Sequence, residues 1–167
     1  MPTKKIVILD NEKVEFGITD AVKPVERKVC VSWNKNTEIQ NAKLWVRWIS
    51  PISAMCTDIY WNGDKVMDFY CGWGSCDFTK ETDITTLLKN GVNNVKFAVW
   101  KCPMWHPWAT TITITAHLYI TYVGEPPKVV TFDVNKVILA GVAALTIGGG
   151  AYVLYKRKGA KSAEKES

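Results

Sequence analysis

Histidine is scarce in this chain. Only His106 and His117 occur among 167 residues, which leaves little material for a base–nucleophile pair or a histidine-rich metal centre. No glycine-rich phosphate loop, nucleophile elbow or zinc-protease helix motif is present. Asp58, Asp64, Asp68 and Asp77 are scattered around turn-like segments, where solvated turn chemistry accounts for them. No catalytic constellation is complete, so the chain is expected not to be an enzyme. A leader pattern is lacking too: Ile6–Leu9 is a short apolar run, and an h-region needs about 7–15 such residues. Helical periodicity is almost absent before residue 137, where Thr85–Lys89 reads as a single turn.

Charge is also limited. The net charge is +5, but the tail KRKGAKSAEKES after Tyr155 holds five basic and two acidic residues. The other 155 residues carry 16 basic and 14 acidic, close to neutrality. That balance gives no nucleic-acid signal for the main domain. The excess sits beside the one long apolar run, Val137–Tyr155, which contains no charged residue. Nineteen residues at about 1.5 Å each would span about 28 Å, near the hydrocarbon thickness of a bilayer. The expectation is a transmembrane helix over 137–155. It would be preceded by a linker over 127–136 and followed by a basic polar tail over 156–167. Lys156, Arg157 and Lys158 would meet headgroups. By the positive-inside rule the tail lies inside and the domain outside, at a cell surface or in a virion. Ala140, Ala144 and Gly148 recur every four residues and would form a small-residue association stripe.

What remains, residues 1–126, reads as strands. Leu44, Val46 and Trp48 alternate with Trp45, Arg47 and Ile49. Val95, Phe97 and Val99 alternate with Lys96 and Ala98. Ile112, Ile114, Ala116, Leu118, Ile120 and Tyr122 alternate with Thr111, Thr113, Thr115, His117, Tyr119 and Thr121. A period of two with β-branched residues marks half-buried antiparallel strands. Asn62-Gly63 between apolar runs is a strong hairpin signal, since both residues tolerate positive φ. Gly124-Glu125-Pro126-Pro127 is expected to end the sheet. The fold class is therefore all-β: an antiparallel jelly-roll-like sandwich followed by one C-terminal transmembrane helix.

The stretch from Asp83 through Ile84, Thr85, Leu87, Leu88, Lys89, Gly91 and Asn93 to the strand at Val95 resembles a recurrent segment of galactose-binding-domain-like jelly rolls. The hairpin TDIYWNGDKV is similar to its partner. The resemblance covers about a third of the domain and implies a fold. It implies no ligand residues, because such folds bind sugars, decorate enzymes or serve as structural modules.

Five cysteines occur: Cys30, Cys56, Cys71, Cys76 and Cys102. Cys71 and Cys76 with Cys102 and His106 could supply four zinc ligands, although the spacing departs from the usual Cys-x2-Cys knuckle. The alternatives are a Cys71–Cys76 disulfide with Cys102 joined to Cys56 or Cys30, or free buried thiols. No other cofactor is implied. Eight tryptophans are present. Trp33, Trp48 and Trp61 fall on strand faces, whereas Trp73, Trp105 and Trp108, with His106, fall in loops. Loop indoles plug a sandwich end, stack on sugars, bury in a neighbouring subunit or anchor among headgroups. The expected function is a non-catalytic membrane-anchored structural or surface protein. It would assemble laterally as a homo-oligomer or with coat partners, as a virion component or a cell-surface coat. The alternative is a membrane-tethered module that binds glycans.

Overall fold

The computed structural model describes residues 1–52, 54–101, 109–133, 146–147 and 150–151. Nine strands form the sandwich: β1 (Thr3–Phe16), β2 (Val22–Ser32), β3 (Thr37–Ser50), β4 (Met55–Trp61), β5 (Asp64–Cys71), β6 (Cys76–Asp83), β7 (Gly91–Lys101), β8 (Thr110–Gly124) and β9 (Lys128–Asp133). One sheet has the order β1-β8-β3-β6 and the other β5-β4-β7-β2-β9, each fully antiparallel. The pairs β1·β8, β2·β7, β3·β6 and β4·β5 are those of one long folded hairpin. Alternate pairs go to opposite sheets, which is the rolled double Greek key of a jelly roll. β9 adds an edge strand beside β2.

The alternating residues fill the space between the sheets. Leu44, Val46 and Trp48 of β3, Val95, Phe97 and Val99 of β7, and Ile112, Ile114, Ala116, Leu118 and Ile120 of β8 are all buried. At roughly 25 cal/mol per Å² of apolar surface, this shared face is the main stabilising term. Trp48 is wholly enclosed, and its Nε1 donates to Thr57 Oγ1 at 2.8 Å. The Asn62-Gly63 turn has φ of 54° and 99°, as a two-residue hairpin between twisted strands requires.

Three strands depart from the sequence reading. β1 carries two register shifts, between Val7 and Leu9 and between Leu9 and Glu12. They bury both Ile8 and Leu9 and break the alternation that would reveal the strand. β6 is an edge strand with five consecutive exposed residues, so it has almost no apolar period. Residues 128–133, expected as linker, form β9 instead. Gly124 turns the chain at φ 88°, in a place where a Cβ would lie 1.8 Å from the Asn36 carbonyl oxygen. The chain passes Pro126 and Pro127 and then re-enters the sheet. The sandwich therefore extends to Asp133 rather than stopping at residue 126.

Within the expected helix 137–155, Thr146–Ile147 pairs antiparallel with Gly150–Ala151. That ladder departs from a helix at those four residues. The rest of that segment, with Ala140, Ala144, Gly148, Lys156, Arg157 and Lys158, lies outside the described residues. Among the described residues no helix is long and apolar enough to cross a membrane.

Candidate interaction surfaces

The strand directions sort the loops into two groups. Residues 17–21 and 72–75 join β1 to β2 and β5 to β6 at one end, where β3 and β7 also finish and β4 and β8 begin. The turns at 33–36, 62–63, 84–90 and 125–127 lie at the other end.

Trp73 belongs to the first end. It sits in Gly72-Trp73-Gly74-Ser75, closed by a Cys71–Cys76 disulfide with Cα atoms 5.9 Å apart. Short covalent closure restricts the loop, yet the indole is 88% exposed. Ile18, on the neighbouring loop, is 68% exposed. That loop is braced by cations: Lys101 Nζ donates to the carbonyls of Gly17 and Ile18 at 2.6 and 3.2 Å, and Lys23 pairs with Asp20 at 2.8 Å. The ammonium of Lys23 and the Gly17 amide hold the Asp20 carboxyl below its usual range. On the outer face of the second sheet, the row nearest this end is Tyr70, Cys56, Trp100 and Val22.

Zinc at Cys71 and Cys76 is ruled out by the disulfide, since oxidised sulfurs offer no thiolate. No group of three or more metal-ligating side chains occurs among the described residues. Cys56 is also disulfide-bonded, whereas Cys30 is free. Cys102, Trp105, His106 and Trp108 lie outside the described residues.

A second surface escaped the sequence reading because its residues are far apart in the chain. On the outer face of the first sheet, the register aligns Glu81, Trp45, His117 and Val7 in one row across β6, β3, β8 and β1. The Trp45 and His117 rings stack at 4.9 Å with a 10° interplanar angle. Tyr119 meets the His117 ring edge-on at 6.1 Å, and Lys5 Nζ lies 6.0 Å from the Tyr119 centroid. Val7 is 48% exposed. Ion pairs flank the patch: Lys43–Glu81 at 2.8 Å and Arg47–Asp77 at 2.5 Å. The hydrogen bond with Arg47 lowers the Asp77 pKa and raises that of Arg47. The signal available in sequence was Trp45 itself, on the polar side of an alternating strand.

Burial lowers the His117 pKa, with Lys5 adding to the effect, and its Nδ1 is buried without a partner. The folded state therefore favours the neutral ring. The unfolded chain takes up a proton first, so stability is full above about pH 6.5 and falls as pH drops below that value. Urea titrations at stepped pH should show this loss, and His117→Phe should remove it. Equal pH slopes for the two proteins would refute the assignment.

No family model matches the chain, and no curated protein matches it. Among solved structures, it is similar to a chain of infectious bursal disease virus, Gx strain, at 8% identity and a TM-score of 0.48. That match covers 78% of this chain and 34% of the viral one. It is likewise similar to the infectious bursal disease virus VP2 subviral particle, at 8% identity and a TM-score of 0.48, covering 79% and 36%. A third is the CBM36-1 domain of a multidomain xylanase from the hindgut metagenome of Trinervitermes trinervoides. Identity there is 13% and the TM-score 0.38, over 74% of this chain and all of that domain. The chain thus spans about a third of the two viral chains' length.

Proposed function

We propose that this jelly roll is a non-catalytic structural module. It is held to a membrane by residues 137–155 and assembles laterally with copies of itself, in a virion or a cell-surface coat. The observation that carries this reading is the patch of Trp45, His117, Tyr119 and Val7 on an outer sheet face. Aromatic residues ringed by paired charges have the make-up of a contact centre. The opposite outer face is dominated by ion pairs such as Lys65–Asp58 at 2.6 Å and Lys96–Glu26 at 3.8 Å. The Cys71–Cys76 disulfide supports a domain outside the reducing cytosol. The basic flank Lys156, Arg157 and Lys158 supports a tail inside.

Trp45→Ala should weaken self-association by about tenfold or more, the loss expected for an aromatic hot spot. Sedimentation equilibrium in detergent and neighbour cross-linking in native membranes measure it. Wild-type protein that stays monomeric at every concentration and gives no cross-links sinks the assembly reading.

A membrane-tethered carbohydrate-binding module is the second reading. It is favoured by Trp73, whose bare indole on a closed loop can stack on a sugar ring. A glycan array without hits, or binding unchanged by Trp73→Ala, removes it.

A further inference from the structure

Strand β9 shows where the chain is heading when it leaves the sandwich. Lys128 pairs with Ser32 at the far end of β2, and Asp133 pairs with Arg27 near the middle. The strand therefore runs towards the end that carries Trp73 and Ile18. Three residues separate Asp133 from Val137, the start of the uncharged run. The four steps, at about 3.3 Å each when extended, reach about 13 Å. From Arg27 to Val22, the near end of β2, is five residues. An extended chain would bring Val137 to within about one residue of the level of Val22, and β9 is directed at that end.

The two ends differ in chemistry. Among the described loop residues at this end, 17–21, 51–52, 54 and 72–75, Asp20 is the one charged residue, and it is paired with Lys23. Among the described residues, the most exposed large apolar side chains beyond Met1 are at this end: Trp73 at 88%, Ile18 at 68%, Val22 at 58% and Tyr70 at 57%. The other end is polar. There the amides of Asn34 and Asn36 donate to Glu125 at 2.7 and 3.2 Å, and Lys35 and Lys89 lie in its turns.

We infer that the loop end bearing Trp73 and Ile18 is a membrane-docking surface. It rests on the same bilayer that residues 137–155 enter, with the indole of Trp73 at headgroup depth. The inference builds on the membrane-anchored reading above. Tryptophan favours this depth because its ring is apolar while its N–H keeps a polar partner. The disulfide and the Lys101 brace present Trp73 and Ile18 already ordered, so little freedom is lost on docking. The sandwich then stands with its strands along the membrane normal. Both outer sheet faces become lateral surfaces, and the Trp45–His117 patch faces neighbouring copies.

The test uses the full chain with phosphatidylcholine bilayers. Flotation with vesicles after an alkaline wash first reports anchoring. In phosphatidylcholine nanodiscs doped with a gadolinium-chelating lipid, the NMR signals of the Trp73 indole N–H and the Ile18 methyls should be lost. Those of Asn62, Gly63 and Val92 should remain. The double variant Ile18→Ser/Trp73→Ser, altered only at exposed positions, should still float but keep its Val22 and Tyr70 signals. Flotation with undiminished Trp73 and Ile18 signals overturns the docking surface and leaves the anchor standing. Protection of both residues from lipid-borne and water-soluble probes alike means that a protein partner covers them, and it also overturns the inference. Failure to float removes the anchor and the docking surface together.

Discussion

Arg27→Ala should lower the unfolding free energy by about 3 kcal/mol, the lower end for a buried charge pair because Glu12 is half-exposed, and the melting temperature by roughly 10 °C. Arg27 lies on the inner side of β2 and is 8% exposed. Its guanidinium reaches Glu12 of β1 at 3.0 Å and Asp133 of β9 at 3.4 Å, and it donates to the Glu26 carbonyl at 3.0 Å. One cation thus clasps the open edge where the two sheets meet. Removing it takes that cation away from Asp133, which is 18% exposed, and from Glu12, which at 39% exposure can turn to water. Arg27→Met should be milder, because the stem packing survives. Hydrogen exchange should show β9 and the second half of β1 opening first. Calorimetry giving an unchanged melting temperature for Arg27→Ala would show that the clasp contributes nothing.

Asn93→Ala should cost about 3 kcal/mol through several unpaired buried groups. Asn93 is fully buried. Its Nδ2 donates to the carbonyls of Lys89 and Gly91 at 2.9 and 3.2 Å, and more weakly to that of Val29 at 3.4 Å. Its Oδ1 accepts from the Lys89 amide and from Asn62 Nδ2, at 2.9 and 3.0 Å. Asn62 in turn donates to the Leu87 carbonyl and accepts from the Asn94 amide. The two asparagines tie the 84–90 crossover to the β4–β5 hairpin. Asn93→Asp should be about as damaging, since it turns a donor into an acceptor facing carbonyls. Denaturant midpoints decide the matter: an aspartate variant as stable as wild type would contradict this network. The resemblance to galactose-binding-like jelly rolls rested partly on this residue. In this structure it holds a turn together and touches no exposed surface.

Much of the sandwich was legible where one face meets the core. β3, β7 and β8 show their alternation because their inner residues are buried one after another and their outer residues are not. The hairpin at Asn62-Gly63 was legible because its backbone demands particular residues. β1, β6 and β9 were not. Bulges spoil the period of β1, β6 lies at an exposed edge, and β9 follows a Pro-Pro step that reads as an exit. Of the candidate surfaces, Trp73 was visible as an indole in a loop. The Trp45–His117 patch was not, because residue 45 meets residue 117 only through the β3·β8 register.

The sequence by itself determined that this chain is all-β, that one long segment is charge-free, and that its basic excess is confined to the tail. Those are local properties, set by alternation, turn chemistry and composition. Only the tertiary structure decided which loops share an end, where β9 points, and which distant aromatics lie side by side. These depend on register and sheet order, which join residues more than 70 positions apart at the Trp45–His117 contact. No window of neighbouring residues contains that information. A one-residue slip would turn Trp45 into the core and Leu44 into water, and only the burial of the whole face prevents it.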